Sequence, residues 1–201
     1  MKRALWLLVL YAGILAVLSA QNADEQIQQE KTYKIGDVGP AGGIVFYDRG
    51  YYSNDRTGGL AGDWRYLEAA PVGTEFSAVW GAYNHNVTGT GHTVGSGKVN
   101  TQLIMEQLRI LGESESAAEL CVKLKYNGFA DWFLPSKDEL DLMYKNLKRK
   151  NAGNFAAKTS YWSSSQSNKE CAWYQNFDNG RQYNYGNYKY AAFMVRAVRS
   201  F

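Results

Sequence analysis

The stretch DWFLPSKDELDLMYKNLKRK, from Asp131 to Lys150, leaves this chain few choices. Trp132, Phe133 and Leu134 are three large apolar residues in a row, which predicts a short buried strand. Pro135 then interrupts it, and Ser136 followed three residues later by Glu139 is the signature of a capping box. The serine hydroxyl accepts from the backbone N–H of Glu139 while the glutamate reaches back to that of Ser136, so a helix opens here. Leu140, Met143, Tyr144 and Leu147 recur at helical spacing and give it one apolar stripe. The lysines and Arg149 near its end suit the negative pole of the helix dipole.

The rest of the chain supplies elements for this helix to pack on. YKIGDVGPAGGIVFYD sets a glycine-rich turn before Ile44, Val45, Phe46 and Tyr47, a run with strong strand preference. After a loop rich in Gly, Asp and Asn, WRYLEAAP offers the partner strand of a front hairpin, ending at Pro71. From Trp80 to Gly97 the residues are nearly all turn formers and small polar groups, which predicts a surface loop whose backbone is satisfied by water. KVNTQLIMEQLRILG places Leu103, Ile104, Leu108 and Leu111 at helical spacing and stops at Gly112. SESAAELCVKLKYNG brings Ala117, Leu120, Cys121 and Leu124 onto one face of a second helix, expected to end at Asn127 and Gly128. Beyond Lys150, YWSSSQS, CAWYQNF, the turn DNG and AAFMVRAVR predict an antiparallel strand meander. A front hairpin, about three helices and a meander make an α+β arrangement, with Trp132, Leu134, Trp162 and Trp173 expected in its core.

With 201 residues, 45% hydrophobic and 14% aromatic, the chain has material for one well-buried core. The formal charge of +3 drops by two, to +1, if Lys2 and Arg3 leave with the N-terminal segment, and such a balance does not call for nucleic acid. MKRALWLLVLYAGILAVLSA has a basic start and an unbroken apolar run from Ala4 to Ala20, the pattern of a secretory signal peptide over residues 1–20. An uncleaved membrane anchor is the alternative, since the run approaches the ~20 residues a spanning helix needs. QNADEQIQQEK is polar and free of aromatics, a flexible leader over 21–32 ahead of a domain spanning 33–201. Cys121 and Cys171 are the two cysteines. In an exported chain they either form a disulfide, worth about 3–4 kcal/mol for a loop of this length, or stand as separate buried thiols.

The tail is the candidate site. Trp173, Gln175 and Phe177 alternate with Tyr174, Asn176 and Asp178, so one set faces inward and the other outward, and the second set is expected in solvent. Past Asp178 and Asn179, residues Arg181, Tyr183, Asn184, Tyr185, Asn187, Tyr188 and Tyr190 crowd together with no aliphatic residue among them. Tyrosine brings a large, stiff contact surface at small entropic cost, and Asn, Asp and Arg add adaptable hydrogen bonds. Rings of this kind stack on the apolar faces of sugars, so the segment is expected to contact a glycan or protein ligand. The bland alternative is cross-strand pairing that stiffens a wet sheet. The Tyr and Asn bias also fits a segment rewritten by a diversity-generating retroelement.

Other chemistries are poorly served. His85 and His92 lie in the glycine-rich loop beside Asn84, Asn86 and Thr88, which are weak transition-metal donors, so neither a metal nor a cofactor is expected. Asp178 and Asn179 would hold a calcium ion weakly at best. Ser163 to Ser165 lack the glycine-flanked elbow of an exposed nucleophile, and Asp138 and Glu139 are explained by helix capping. The glycine-rich stretches lack phosphate-loop spacing. The chain is therefore expected not to be an enzyme.

GGIVFYD, WRYLEAAP, ELCVKLKYNGFADWFLPSKDEL, YWSSS, AWYQNF and the final VRAVR follow one another as they do in the Legionella collagen-like protein C-terminal domain family, which the chain resembles from about Tyr33 to Phe201. The resemblance implies a C-type-lectin-like fold of the kind also seen in sulfatase-modifying-factor-like bacterial surface domains. It further implies export to the periplasm, the outer surface or the medium, and adhesin-like ligand binding, with oligomers allowed. Some members bind sulfated polysaccharides. The lectin calcium signature, Glu-Pro-Asn or Gln-Pro-Asp followed by Trp-Asn-Asp, is absent. Many relatives carry a cysteine where this chain has Ala197; if Cys121 pairs there in the family, Cys171 is its remaining candidate here. Two other readings stay open: an assembly module of the envelope, and a formylglycine-generating-type oxidase working through a reactive cysteine pair.

Overall fold

In a computed structural model, which describes residues 31–50 and 64–201, strand β1 (Ile44–Asp48) pairs antiparallel with β2 (Tyr66–Ala69), Ile44 opposite Ala69 and Asp48 opposite Tyr66. The expected signal peptide, most of the leader and the loop between these strands lie outside the described residues. The third strand of this sheet is β8 (Val198–Ser200), on the other side of β2. The glycine-rich turn before β1 has a specific task. Its Ala41 and Gly43 amides each donate at 3.2 Å to the fully buried carboxylate of Glu68, which also receives Arg199 Nη1 at 2.8 Å. A Cβ at Gly39 or Gly43 would collide with that carboxylate or with the Ala69 carbonyl. A buried charge is tolerable when it is paired and hydrogen-bonded in this way.

The second sheet has the order β3-β7-β4-β5-β6, from Phe76–Val79, Ala192–Val195, Ser160–Gln166, Ala172–Asn176 and Gln182–Tyr183 respectively. A meander is therefore present from β4 to β6, but it does not continue. Strand β7 crosses back and lies parallel to β4, with Tyr161 opposite Met194. The run AAFMVRAVR also divides into two strands in different sheets. The break is Arg196, whose buried guanidinium donates to Glu75 at 2.7 Å, to the Ala70 carbonyl at 3.0 Å and to the Gly153 carbonyl at 2.9 Å. Held from three directions, this residue is where the chain passes from the five-stranded sheet into the three-stranded one.

Helix α1 (Gly97–Leu111) stops at Gly112, whose φ of 67° is the left-handed geometry glycine permits. Helix α2 (Ala117–Lys123) is shorter than its sequence suggests. Asn127 and Gly128, at φ 48° and 82°, instead form a tight turn that bridges Tyr126 and Phe129. Helix α3 (Lys137–Asn146) opens with the full Ser136–Glu139 capping box. Trp132 to Leu134 are buried but contribute one bridge, Phe133 to Val198, and no strand. Trp132, Leu134 and Trp162 lie in a core with Trp80, Ile104 and Leu108, while Phe46, Leu67, Met143, Tyr161 and Phe177 form a second cluster under α3. The fold is the expected α+β one, with a mixed sheet where an antiparallel one was expected. Among the described residues, no helix is long and apolar enough to cross a membrane.

Candidate functional site

Strand β5 lies between β4 and β6, and both of its faces are covered. Gln175 and Phe177 are buried beneath α3, where Gln175 Nε2 donates to Asp141 at 2.9 Å and the Phe177 ring meets Tyr144 at 5.4 Å. The opposite face carries Tyr174, which is 7% exposed. This overturns the expectation of a solvent-facing Tyr174. Its ring stacks on Tyr183 at 5.3 Å and packs on Phe193 at 4.8 Å and Trp162 at 5.7 Å, because β7 and β4 bring aromatic residues onto the face that simple alternation leaves wet. Trp173, expected in the core, is half-buried at the rim, with Lys137 Nζ 5.2 Å over its ring and His92 edge-on at 5.7 Å.

The DNG turn builds itself from its own polar side chains. Asn176 Oδ1 accepts from the amides of Asp178 and Asn179 at 2.9 and 3.0 Å, and Asn179 Oδ1 accepts from the Arg181 amide at 2.9 Å. Asn176 and Asn179 therefore serve the turn, while Asp178 and Arg181 project into solvent. Farther on, Tyr183 and Asn184 are half-buried. Asn187 Nδ2 donates at 2.9 Å to the Tyr174 hydroxyl, which donates in turn to the Tyr185 carbonyl at 3.2 Å. Tyr174 and Asn187 are thus scaffold for the loop after β6. Tyr185, at 69%, and Tyr190, at 57%, are the most exposed tyrosines described.

Between the exposed Tyr188 and Tyr190 stands Lys189, which is fully buried. Its ammonium lies 4.6 Å over the Trp80 ring and donates to the Ala82 carbonyl at 3.3 Å, the His85 carbonyl at 2.9 Å and Gln166 Oε1 at 2.6 Å. Burial brings its pKa down to about 8. The two carbonyls flank Tyr83, so the lysine that separates two tyrosines of the tail also fixes a third from another loop. Tyr83 meets Tyr190 at 4.8 Å and Tyr188 at 5.8 Å, standing at 70° and 78° to their rings, and Tyr188 and Tyr190 lie 5.3 Å apart. The result is an aromatic corner on the surface. Tyr83 is absent from the sequence reading, although Tyr83-Asn84 repeats the Tyr/Asn pairing of the tail inside the glycine-rich loop.

That loop is less water-borne than its composition predicts. Glu113 accepts from the Ala82 amide at 2.7 Å, Gln166 from Val87 at 2.8 Å, Asn100 from Gly91 at 2.7 Å and Glu139 from Gly95 at 2.7 Å. Four side chains from α1, α3, β4 and the turn after α1 hold it in place. His85 and His92 lie apart in function, His92 packing on Trp173, and no group of His, Cys, Asp or Glu among the described residues could hold a metal.

Cys121 and Cys171 are both buried and free, so the pairing raised as an option is not made. Cys121 lies on α2 within the core, and Cys171 immediately precedes β5. Burial pushes both thiols above their ordinary range, the reverse of what a reactive thiolate needs. Ser163 and Ser165 are committed to the carbonyls of Trp173 and Gly91, at 2.8 and 2.7 Å.

No curated protein matches the chain. A solved structure of a fimbrial protein from Bacteroides ovatus ATCC 8483 is similar in fold, with a TM-score of 0.54 and 12% identity over 79% of this chain and 44% of that one. This chain thus corresponds to less than half of the fimbrial protein's length. The Lcl C-terminal domain family matches residues 74–199, which include the loop of Tyr83, the capped helix α3 and the whole tyrosine-rich tail, and the chain belongs to that family.

Proposed function

We propose that the chain is an exported, surface-displayed, adhesin-like domain that binds a glycan ligand through the corner formed by Tyr83, Tyr188 and Tyr190, with Tyr185 extending the contact. The observation that carries this reading is the three rings themselves. They are 39%, 42% and 57% exposed although each touches the others, and they are held on a buried lysine instead of a flexible loop. Exposed aromatic clusters on a rigid base are costly unless a ligand covers them, and phenol rings offer both stacking area and a hydroxyl to a sugar. Membership of the Lcl C-terminal domain family and a fold shared with a fimbrial protein fit a domain displayed outside the cell.

A glycan array probed with the wild-type chain and with the triple variant Tyr83→Ala, Tyr188→Ala, Tyr190→Ala tests the proposal. Signal from wild type that disappears in the variant at an unchanged melting temperature supports it. Equal signal from both proteins would move the binding face elsewhere.

A further inference from the structure

The charges around the aromatic corner point to a class of ligand, an inference that rests on the reading of this corner as the binding site. The Glu170 carbonyl accepts from the Lys189 amide at 2.9 Å, which places Glu170 directly beside the segment carrying Tyr188 and Tyr190. Its carboxylate has no ion-pair or hydrogen-bond partner among the described residues. A second carboxylate, Glu113, sits at the base of the Tyr83 loop, where its Oε2 accepts from the amide of Ala82, the residue before Tyr83. Beneath the rings, Lys189 turns its ammonium inward onto the Ala82 and His85 carbonyls and the Gln166 amide oxygen, whose dipoles screen it from the surface.

We infer that the corner of Tyr83, Tyr188 and Tyr190, with Glu170 beside it and Glu113 at the base of the Tyr83 loop, recognises a cationic alkylammonium group on its ligand. The negative faces of phenol rings attract a cation, and a carboxylate without a partner at the rim supplies the counter-charge. The same two carboxylates repel a sulfated or carboxylated group brought to this position. The field of Glu170 is felt within the corner: the Tyr83 hydroxyl titrates above its ordinary range, first through burial and then through that charge.

Calorimetric titration of the full chain with choline and with 3,3-dimethylbutan-1-ol, the uncharged carbon isostere of choline, tests the inference. Choline is expected to bind at least about ten-fold more tightly than the isostere. Tyr190→Ala is expected to abolish that binding, and Glu170→Gln to weaken it by about three- to ten-fold with no change in fold. Equal binding of the two probes, or choline binding indifferent to Glu170→Gln, overturns the inference. An uncharged oligosaccharide that binds in a Tyr190-dependent way while choline does not would remove the cation and leave the glycan-binding corner standing. Absence of binding by choline and by every glycan would remove both.

Discussion

Lys189 and Gln166 meet at 2.6 Å, and the amide oxygen that receives the lysine also accepts from the Val87 amide at 2.8 Å. One end of β4 thereby ties the loop of Tyr83 to the loop of Tyr188 and Tyr190. Replacing the lysine by methionine keeps the apolar stem over Trp80 but removes one donor from each of three oxygens, of which Gln166 Oε1 keeps the Val87 amide and the Ala82 carbonyl keeps the His85 amide. The saved cost of burying an ammonium offsets part of that loss, and a net destabilisation of about 1–3 kcal/mol is expected. Thermal melting of Lys189→Met against wild type measures it, and a melting temperature at or above wild type would show that the tie contributes nothing.

Two buried groups give stability opposite dependences on pH. Burial raises Glu139 to about 7, against backbone N–H donors at Ser136, Gly95 and Gly97 that pull it down. Its folded pKa exceeds its unfolded one, so its contribution is complete below the ordinary glutamate range and disappears as pH climbs through 7. Lys189, lowered to about 8, behaves in the other sense: the unfolded chain holds the extra proton above pH 8, and stability rises with pH until the ordinary lysine range is reached. Urea denaturation from pH 5 to 10 is expected to show a fall toward neutrality that Glu139→Gln flattens, and a rise above pH 8 that is missing in Lys189→Met.

Much of this architecture is legible in the order of the residues, and the exceptions share a cause. The Ser136–Glu139 box and the Gly112 stop are local, decided within one helical turn, and both are where the chain indicates. Tyr174 is misread because alternation reports which residues share a face and not what covers that face; its cover comes from Phe193, nineteen positions later in sequence. Arg196 is likewise absorbed into the single run AAFMVRAVR, since the partner that breaks that run, Glu75, lies 121 positions earlier. For the candidate site, the tail announces Tyr188 and Tyr190, whereas Tyr83 joins them through a lysine bond that no spacing rule encodes.

Gly97 reverses a usual rule. Alanine within a helix is ordinarily better than glycine by roughly 1 kcal/mol, but a Cβ here would strike the Glu139 carboxylate, the Phe133 ring and the Ser136 amide. Gly97→Ala is therefore expected to cost about 1–3 kcal/mol through overpacking. Gly73→Ala, where a Cβ meets nothing within 4 Å, serves as the control and should be close to neutral. Chemical denaturation of both variants decides the matter; a stabilised Gly97→Ala would mean that Glu139 can move aside without loss.

Tyr174 and Tyr190 allow scaffold and contact to be separated within one segment. Removing the Tyr174 hydroxyl with phenylalanine keeps its stacking on Tyr183 but deletes the bonds to the Tyr185 carbonyl and from Asn187. Tyr174→Phe should lower stability by about 1 kcal/mol and speed amide hydrogen exchange between Asn184 and Tyr190, because those bonds hold the loop to β5. Tyr190→Ala should do neither, since its ring lies outside the core, yet it should abolish capture of the ligand. If Tyr174→Phe leaves exchange unchanged while Tyr190→Ala accelerates it, the loop is held by its outer rings, and the aromatic corner is then part of the fold instead of a surface kept open for a ligand.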